Sequence, residues 1–595
     1  MSRHSKLGIV LSLFVFSQMI LLADNSLVVE TKSGKVRGTR VFTQEGSKVK
    51  VYYGIPYAQP PVGNLRFRHP VPVKPWKDVL DATEKPYSCW QVRDDLFGNF
   101  SGSNMWNPNT EMNEDCLKLN VWVPESDVGE GLLAVMVWIF GGGFTSGTPT
   151  LDIYNSEVLA SIGNVVVVSI NYRVGSLGFL YFGRKDAPGN AGIFDQILAL
   201  EWIQNNIKQF GGDPDRVTLF GESAGAASIS LHHLSHLSRH LFHRIVLQSG
   251  AAVSSWAFMS ADRVKANGFK LAQQLGCPHK KSRLDSLMDC LREKHPSDVI
   301  KSLEAPGVME LVEFPFVPIV DGHFLNKTPS EHIQQGDFKI CPAIAGNNHE
   351  EGSYFLLYGL PDNFHKEETI HISQSNFTEI VSLSFPHFSP LILSTLEFQY
   401  KDWLNFDDSK VLDSLDKLVG DKYFTCPVNQ VIKALAKYES HIYLFYFTHR
   451  SSNNLWPRWM GVIHGDEIPY VFGEPYFPGK SYTSEEKELS KNMIIYWTNF
   501  AKSGDVNLPV NVTTIWPRYK IHEEKYLVLS TNPTVREGLR TKYCAFWNDY
   551  LPQLEAKTSL HASCQTSKGR LASLSHRMII FYNLICVLIY TFCSS

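Results

Sequence analysis

The sequence predicts an α/β fold: a large, mostly parallel central sheet covered by helices, opened by an antiparallel N-terminal meander. Three observations predict it. Short apolar runs recur at 132–140 (LLAVMVWIF), 164–171 (NVVVVSIN), 216–220 (RVTLF), 244–247 (RIVL), 441–447 (HIYLFYF) and 526–529 (YLVL). Strands apolar on both faces belong to parallel sheets with helices on either side. Helical patterns lie between several of these runs, as at 193–210, which stops at Gly211-Gly212. The segments 26–41 and 48–58 alternate apolar with polar residues instead, the pattern of a half-exposed meander. No linker-like composition divides residues 24–553, which read as one body.

The 595 residues are 44% hydrophobic and 19% charged, with formal net charge −3. That balance argues against nucleic acid as a partner, because phosphate binding needs a concentrated basic face. Arg3, His4 and Lys6 precede an apolar run at 7–23, so residues 1–23 read as an export signal. Its loss removes two cations and leaves a more acidic body, which suits a cationic substrate. Residues 578–593 are almost wholly apolar, and only Ser594 and Ser595 follow. They lie behind a polar stalk, 554–577, rich in small residues. This is the pattern of a GPI-anchor signal at 578–595, shorter than the ~20 residues of a spanning helix. The expectation is a secreted protein held on the outer face of the plasma membrane. Ten cysteines and sequons at Asn99, Asn326, Asn376 and Asn511 fit that route. Cys341 is expected to be an inert thiol in a buried strand, and Cys564 is the candidate bridge of a homodimer.

The run 216–220 leads directly into Gly221-Glu222-Ser223-Ala224-Gly225, and a helix-compatible stretch follows at 226–234. G-x-S-x-G between strand and helix is a nucleophile elbow: small neighbours permit the sharp turn that lifts the serine hydroxyl clear of the sheet. A serine nucleophile needs a base, an orienting acid and donors for an oxyanion. After the strand at 132–140, the glycines of Phe140-Gly141-Gly142-Gly143-Phe144 can aim backbone N–H groups at a ligand. Ala224 supplies another donor. No cofactor and no metal is expected.

Four segments together resemble the type-B carboxylesterases: 113–122 (NEDCLKLNVW), 140–144 (FGGGF), 221–225 (GESAG) and 459–465 (WMGVIHG). Residues 103–110 (SNMWNPNT) narrow the resemblance, which spans about 27–551, to the cholinesterases. It implies the α/β-hydrolase fold with the order Ser223, Glu351, His464. Glu350 is an equal competitor for the acid on local sequence alone. It also implies an oxyanion hole of Gly142, Gly143 and Ala224, and disulfides Cys89–Cys116, Cys277–Cys290 and Cys426–Cys544. Trp106 falls where the family holds a quaternary ammonium, Tyr354 at a second aromatic contact, and Glu222 adds negative potential. In the acyl pocket Trp256 matches, while Val312 and Phe314 stand where acetyl-selective members carry two phenylalanines and butyryl-selective members aliphatic residues. One of each implies hydrolysis of acetyl and somewhat larger acyl cholines. Asp94 keeps a peripheral contact, but Val92, Thr145 and the segment near Leu303 lack the family's aromatics there. The implied substrate is a small cationic choline ester, as at a synapse. The rivals are a broad-specificity carboxylesterase and a non-catalytic adhesion relative.

Overall fold

A computed structural model of the protein describes residues 27–125, 131–301, 310–404 and 407–558. The expected export signal, Leu303, Cys564 and the apolar tail lie outside the described residues.

Eleven strands form the main sheet: β1 (Thr39–Phe42), β2 (Lys48–Pro56), β3 (Lys118–Pro124), β4 (Leu133–Ile139), β5 (Val166–Ile170), β6 (Gly212–Glu222), β7 (Arg244–Gln248), β8 (Ala343–Asn348), β9 (Ile442–Phe447), β10 (Lys525–Leu529) and β11 (Thr534–Glu537). Their order is β11-β10-β9-β8-β7-β6-β4-β5-β3-β2-β1. The six apolar runs supply β4, β5, β6, β7, β9 and β10; with β8 they form one parallel block. The remaining pairings are antiparallel. Register sets the site: Gly221 lies opposite Ile139, and Glu222 opposite Gln248. The carboxyl ends of β4, β6, β7 and β8 therefore open on one edge, where ligands bind in such sheets.

Three details depart from the sequence reading. The first hairpin, Val28–Thr31 with Gly34–Arg37, joins Leu80–Asp81 in a separate small sheet. The chain passes to β1 at Gly38, where a Cβ would lie 2.5 Å from Val51 O. The helix expected at 193–210 is α-helical over Ala191–Asn206 and tightens to a 3₁₀ turn, Ile207–Phe210, before Gly211 at φ 79°. Cys341 is buried and free but precedes β8; burial pushes its thiol up to about 12.

The three disulfides are those the resemblance implied. Cys89–Cys116 closes the loop that carries Asp94 and Trp106. Asn99, Asn326 and Asn511 are exposed, whereas Asn376 is half-buried with its carbonyl capping the helix Gln374–Ser384. Residues 551–558 are helical, past the expected limit of the body at 553. Among the described residues no helix is long and apolar enough to cross a membrane.

Candidate active site

β6 ends at Glu222, and the helix Ala224–Leu234 starts one residue after Ser223. Ser223 has φ 55° and ψ −121°, outside the wells that L-residues favour. Glycines make the turn feasible: a Cβ on Gly225 would sit 1.9 Å from Ile139 O, and one on Gly250 2.3 Å from Ser223 O. The Ser223 N–H donates to Gln248 O at 2.8 Å, pinning the apex to the end of β7. Its hydroxyl does not cap the helix, and a first-turn amide such as Ala224 N–H has no intrahelical acceptor.

β4 opens into the glycine loop, with Gly142 at φ 108° and Gly143 at φ 59°. A Cβ on Gly141 would lie 2.7 Å from Glu222 O and 3.0 Å from Ser223 Cβ. Glycine there lets the loop lie directly against the nucleophile.

Glu351 follows β8 and is 1% exposed. Its Oε1 accepts from Ser249 Oγ at 2.5 Å, Asn348 N at 2.7 Å and Asn347 Nδ2 at 3.3 Å. Its Oε2 lies 2.6 Å from His464 Nδ1. Glu350 points elsewhere. Its Oε2 accepts from Val462 N at 2.6 Å, and its Oε1 faces His349 and Lys417. The two neighbours thus clamp the histidine loop from different sides.

His464 Nε2 faces Glu222 Oε1 at 2.9 Å, and neither atom has an aligned hydrogen-bond partner. No hydrogen bond joins Ser223 to His464 Nε2 in this arrangement, consistent with catalytic bonds that tighten on ligand binding. Burial opposes charging of His464, but the carboxylates of Glu222 and Glu351 overcome it. They hold the imidazole pKa well above its ordinary value. Glu467 lies behind, accepting from Gln248 Nε2 at 2.9 Å and Asn348 Nδ2 at 2.7 Å. Burial, reinforced by Glu222, pushes its carboxyl up to about 8.

Residues 25–547 match the family model described as the carboxylesterase family. The chain belongs to that family. This carboxylesterase is 43% identical to the acetylcholinesterase of Danio rerio, over 92% of the chain and 91% of that protein. It is 44% identical to the acetylcholinesterase of Bungarus fasciatus, over 89% of the chain and 87% of that protein. It is also 41% identical to acetylcholinesterase 1 of Caenorhabditis briggsae, over 91% of each. The chain is a serine carboxylic ester hydrolase with the α/β-hydrolase fold.

In this carboxylesterase one cavity of about 400 Å³ gathers most of the residues singled out in the sequence. Ser223, His464, Gly142, Gly143, Glu222, Trp106, Tyr354, Asp94, Val312 and Phe314 all line it, and so does Thr145. Ala224 and Glu351 stand behind this lining. Trp256 is not part of the wall: it is buried, donates to Tyr423 O at 2.9 Å and meets Phe314 edge-on at 6.3 Å. Val92 is 50% exposed, away from the cavity. Sequence reasoning missed Tyr358, whose hydroxyl donates to Asp94 and whose ring lies 4.4 Å from Tyr354. It also missed Ser249, Glu467 and Asp416, whose Oδ1 accepts from Gly352 N at 2.8 Å and Ser353 N at 2.7 Å. Asp416 thereby fixes both the segment after Glu351 and the start of the helix Ser353–Gly359 that carries Tyr354. Tyr358 has a sequence signal, being one turn beyond Tyr354. The others look locally like ordinary polar residues.

Proposed function

We propose that this carboxylesterase is a cholinesterase, cleaving acetylcholine and somewhat larger acyl cholines through an acyl-enzyme on Ser223. The observation that carries it is the cavity in which nucleophile and histidine share walls with the Trp106 indole, three tyrosines (Tyr154, Tyr354 and Tyr358) and three carboxylates (Asp94, Glu222 and Glu313). An indole face and fixed negative charge recognise a quaternary ammonium, which has no proton to donate. Ser223 Oγ attacks the carbonyl carbon while His464 Nε2 takes its proton, turning from Glu222 to do so. The N–H groups of Gly142, Gly143 and Ala224 hold the oxyanion. Collapse breaks the ester C–O bond, and His464 returns the proton to the choline oxygen. Water repeats the sequence and frees the carboxylate. Glu351 keeps the proton on Nδ1 and stabilises the imidazolium.

The test is substrate comparison. Wild-type enzyme should favour acetylthiocholine over phenyl acetate. Trp106→Ala should raise KM for acetylthiocholine ~30-fold, the equivalent of the ~2 kcal/mol of a desolvated cation–π contact, and leave phenyl acetate nearly unchanged. Equal losses on both esters would remove the choline reading.

Glu222 gives a pH test. The carboxylate favours imidazolium, so Glu222→Gln should lower the His464 pKa. Because the base must be neutral, the acid limb of the kcat/KM profile should move to lower pH. An unmoved limb would mean that Glu222 does not govern this proton.

Export, GPI anchoring and pairing of two copies through Cys564 complete the proposal. They rest on the terminal patterns, the exposed sequon residues Asn99, Asn326 and Asn511, and the three disulfides of an oxidising compartment. Phosphatidylinositol-specific phospholipase C should release the surface enzyme as a dimer that reduction halves; retention on the membrane would favour a spanning tail.

A further inference from the structure

The acyl-pocket segment is held from outside the cavity by a helix that never reaches it. Leu311, Val312, Glu313 and Phe314 line the cavity. Phe314 lies on the glycine loop so closely that a Cβ at Gly143 would come within 2.4 Å of its ring. Glu313 has a side chain only 10% exposed, and its Oε1 pairs with Arg263 Nη2 while its Oε2 accepts from Glu310 N at 3.1 Å. Arg263 sits in the first turn of the helix Ala261–Gln274 and is half exposed. One turn on, Asn267 Nδ2 donates to Pro315 O at 2.8 Å. Just before the helix, Met259 N donates to Pro318 O at 3.0 Å. The helix therefore grips the residues immediately before and after Phe314. Nothing in the helix touches the reacting atoms.

We propose that Arg263 is a remote determinant of acyl-chain size, acting through Glu313 to hold Phe314 against Gly143. This rests on the acyl-pocket reading of Val312 and Phe314. The physical argument is the asymmetry of an ion pair whose carboxylate is mostly buried and whose guanidinium is half exposed. With Arg263 present, the Glu313 carboxylate is neutralised at the pocket wall. Without it, that carboxylate is buried without its counter-charge, which is strongly unfavourable, and relief lies in moving outward to water. Outward movement of Glu313 carries Val312 and Phe314 with it and enlarges the acyl space. A pocket that has lost a close wall loses discrimination against added methylenes, which are worth about 10-fold or more each when the wall is tight.

The experiment measures kcat/KM for acetyl-, propionyl- and butyrylthiocholine, and in parallel for phenyl acetate and phenyl butyrate. Arg263→Gln should raise the butyryl-to-acetyl ratio about fivefold or more in both series, with acetyl turnover retained. Arg263→Lys, which keeps the charge, should stay near wild type. The exchanged pair Arg263→Glu with Glu313→Arg should restore the wild-type ratio. A ratio within twofold of wild type for Arg263→Gln would overturn the proposal, as would a uniform loss on every ester that the exchanged pair does not rescue. The phenyl esters need no ammonium site. Negligible wild-type turnover of the thiocholines, with the expected ratio shift in the phenyl series, would uphold the clamp while removing the choline reading, so the two ideas fail separately.

Discussion

Replacing Ser223 by alanine is expected to lower kcat/KM for every ester by roughly 10⁶-fold, the size of the loss when a serine nucleophile is removed. The protein should stay folded. Alanine keeps the Cβ, and the turn is fixed by backbone: Ser223 N to Gln248 O, Ala227 N to Ser223 O at 2.9 Å, and the glycines around it. The lost hydroxyl does not cap the helix, so the melting transition should move by less than about 1 kcal/mol of stability. Burst titration with an activated ester should show no acyl-enzyme. Full activity in this variant would require another nucleophile, and the whole assignment would fall.

Much of this site can be read from the chain because its constraints are local. Gly221, Gly225 and Gly141 are where a side chain has no room, and a strand and a helix flank them in sequence. The doubly buried strands announce themselves the same way, since β4 and β5 have no polar face to break the apolar run. What escapes is of two kinds. β11 has four exposed residues, and β3 mixes polar with apolar ones, so neither carries the apolar pattern that marks the central strands. The supporting polar residues are invisible for a different reason. Ser249 reaches Glu351 across 102 residues and Asp416 reaches Ser353 across 63, and nothing beside them in the chain marks either partner. The Arg263–Glu313 pair is hidden in the same manner.

The choice between Glu350 and Glu351 is the clearest such case, and it yields the second large effect. Adjacent residues leaving β8 point to opposite sides. Glu351 turns to Ser249 and His464, and Glu350 to Val462 N and Lys417. In Glu351→Gln the amide must place its oxygen and its NH₂ at two fixed positions. Three donors converge on the Oε1 position, so the oxygen belongs there. The NH₂ then faces His464 Nδ1, which must become an acceptor, and the ring proton moves to Nε2. A ring protonated on Nε2 cannot take the Ser223 proton. The expected loss is ~10⁴-fold in kcat, the size of a wrong-tautomer effect, with little change in KM. Glu350→Gln keeps an oxygen for Val462 N and faces no reacting proton, so its loss should stay below about tenfold. Steady-state kinetics on the two variants decides the matter. If the larger loss falls on Glu350, the hydrogen bonds around Glu351 are structural and the acid has been misassigned.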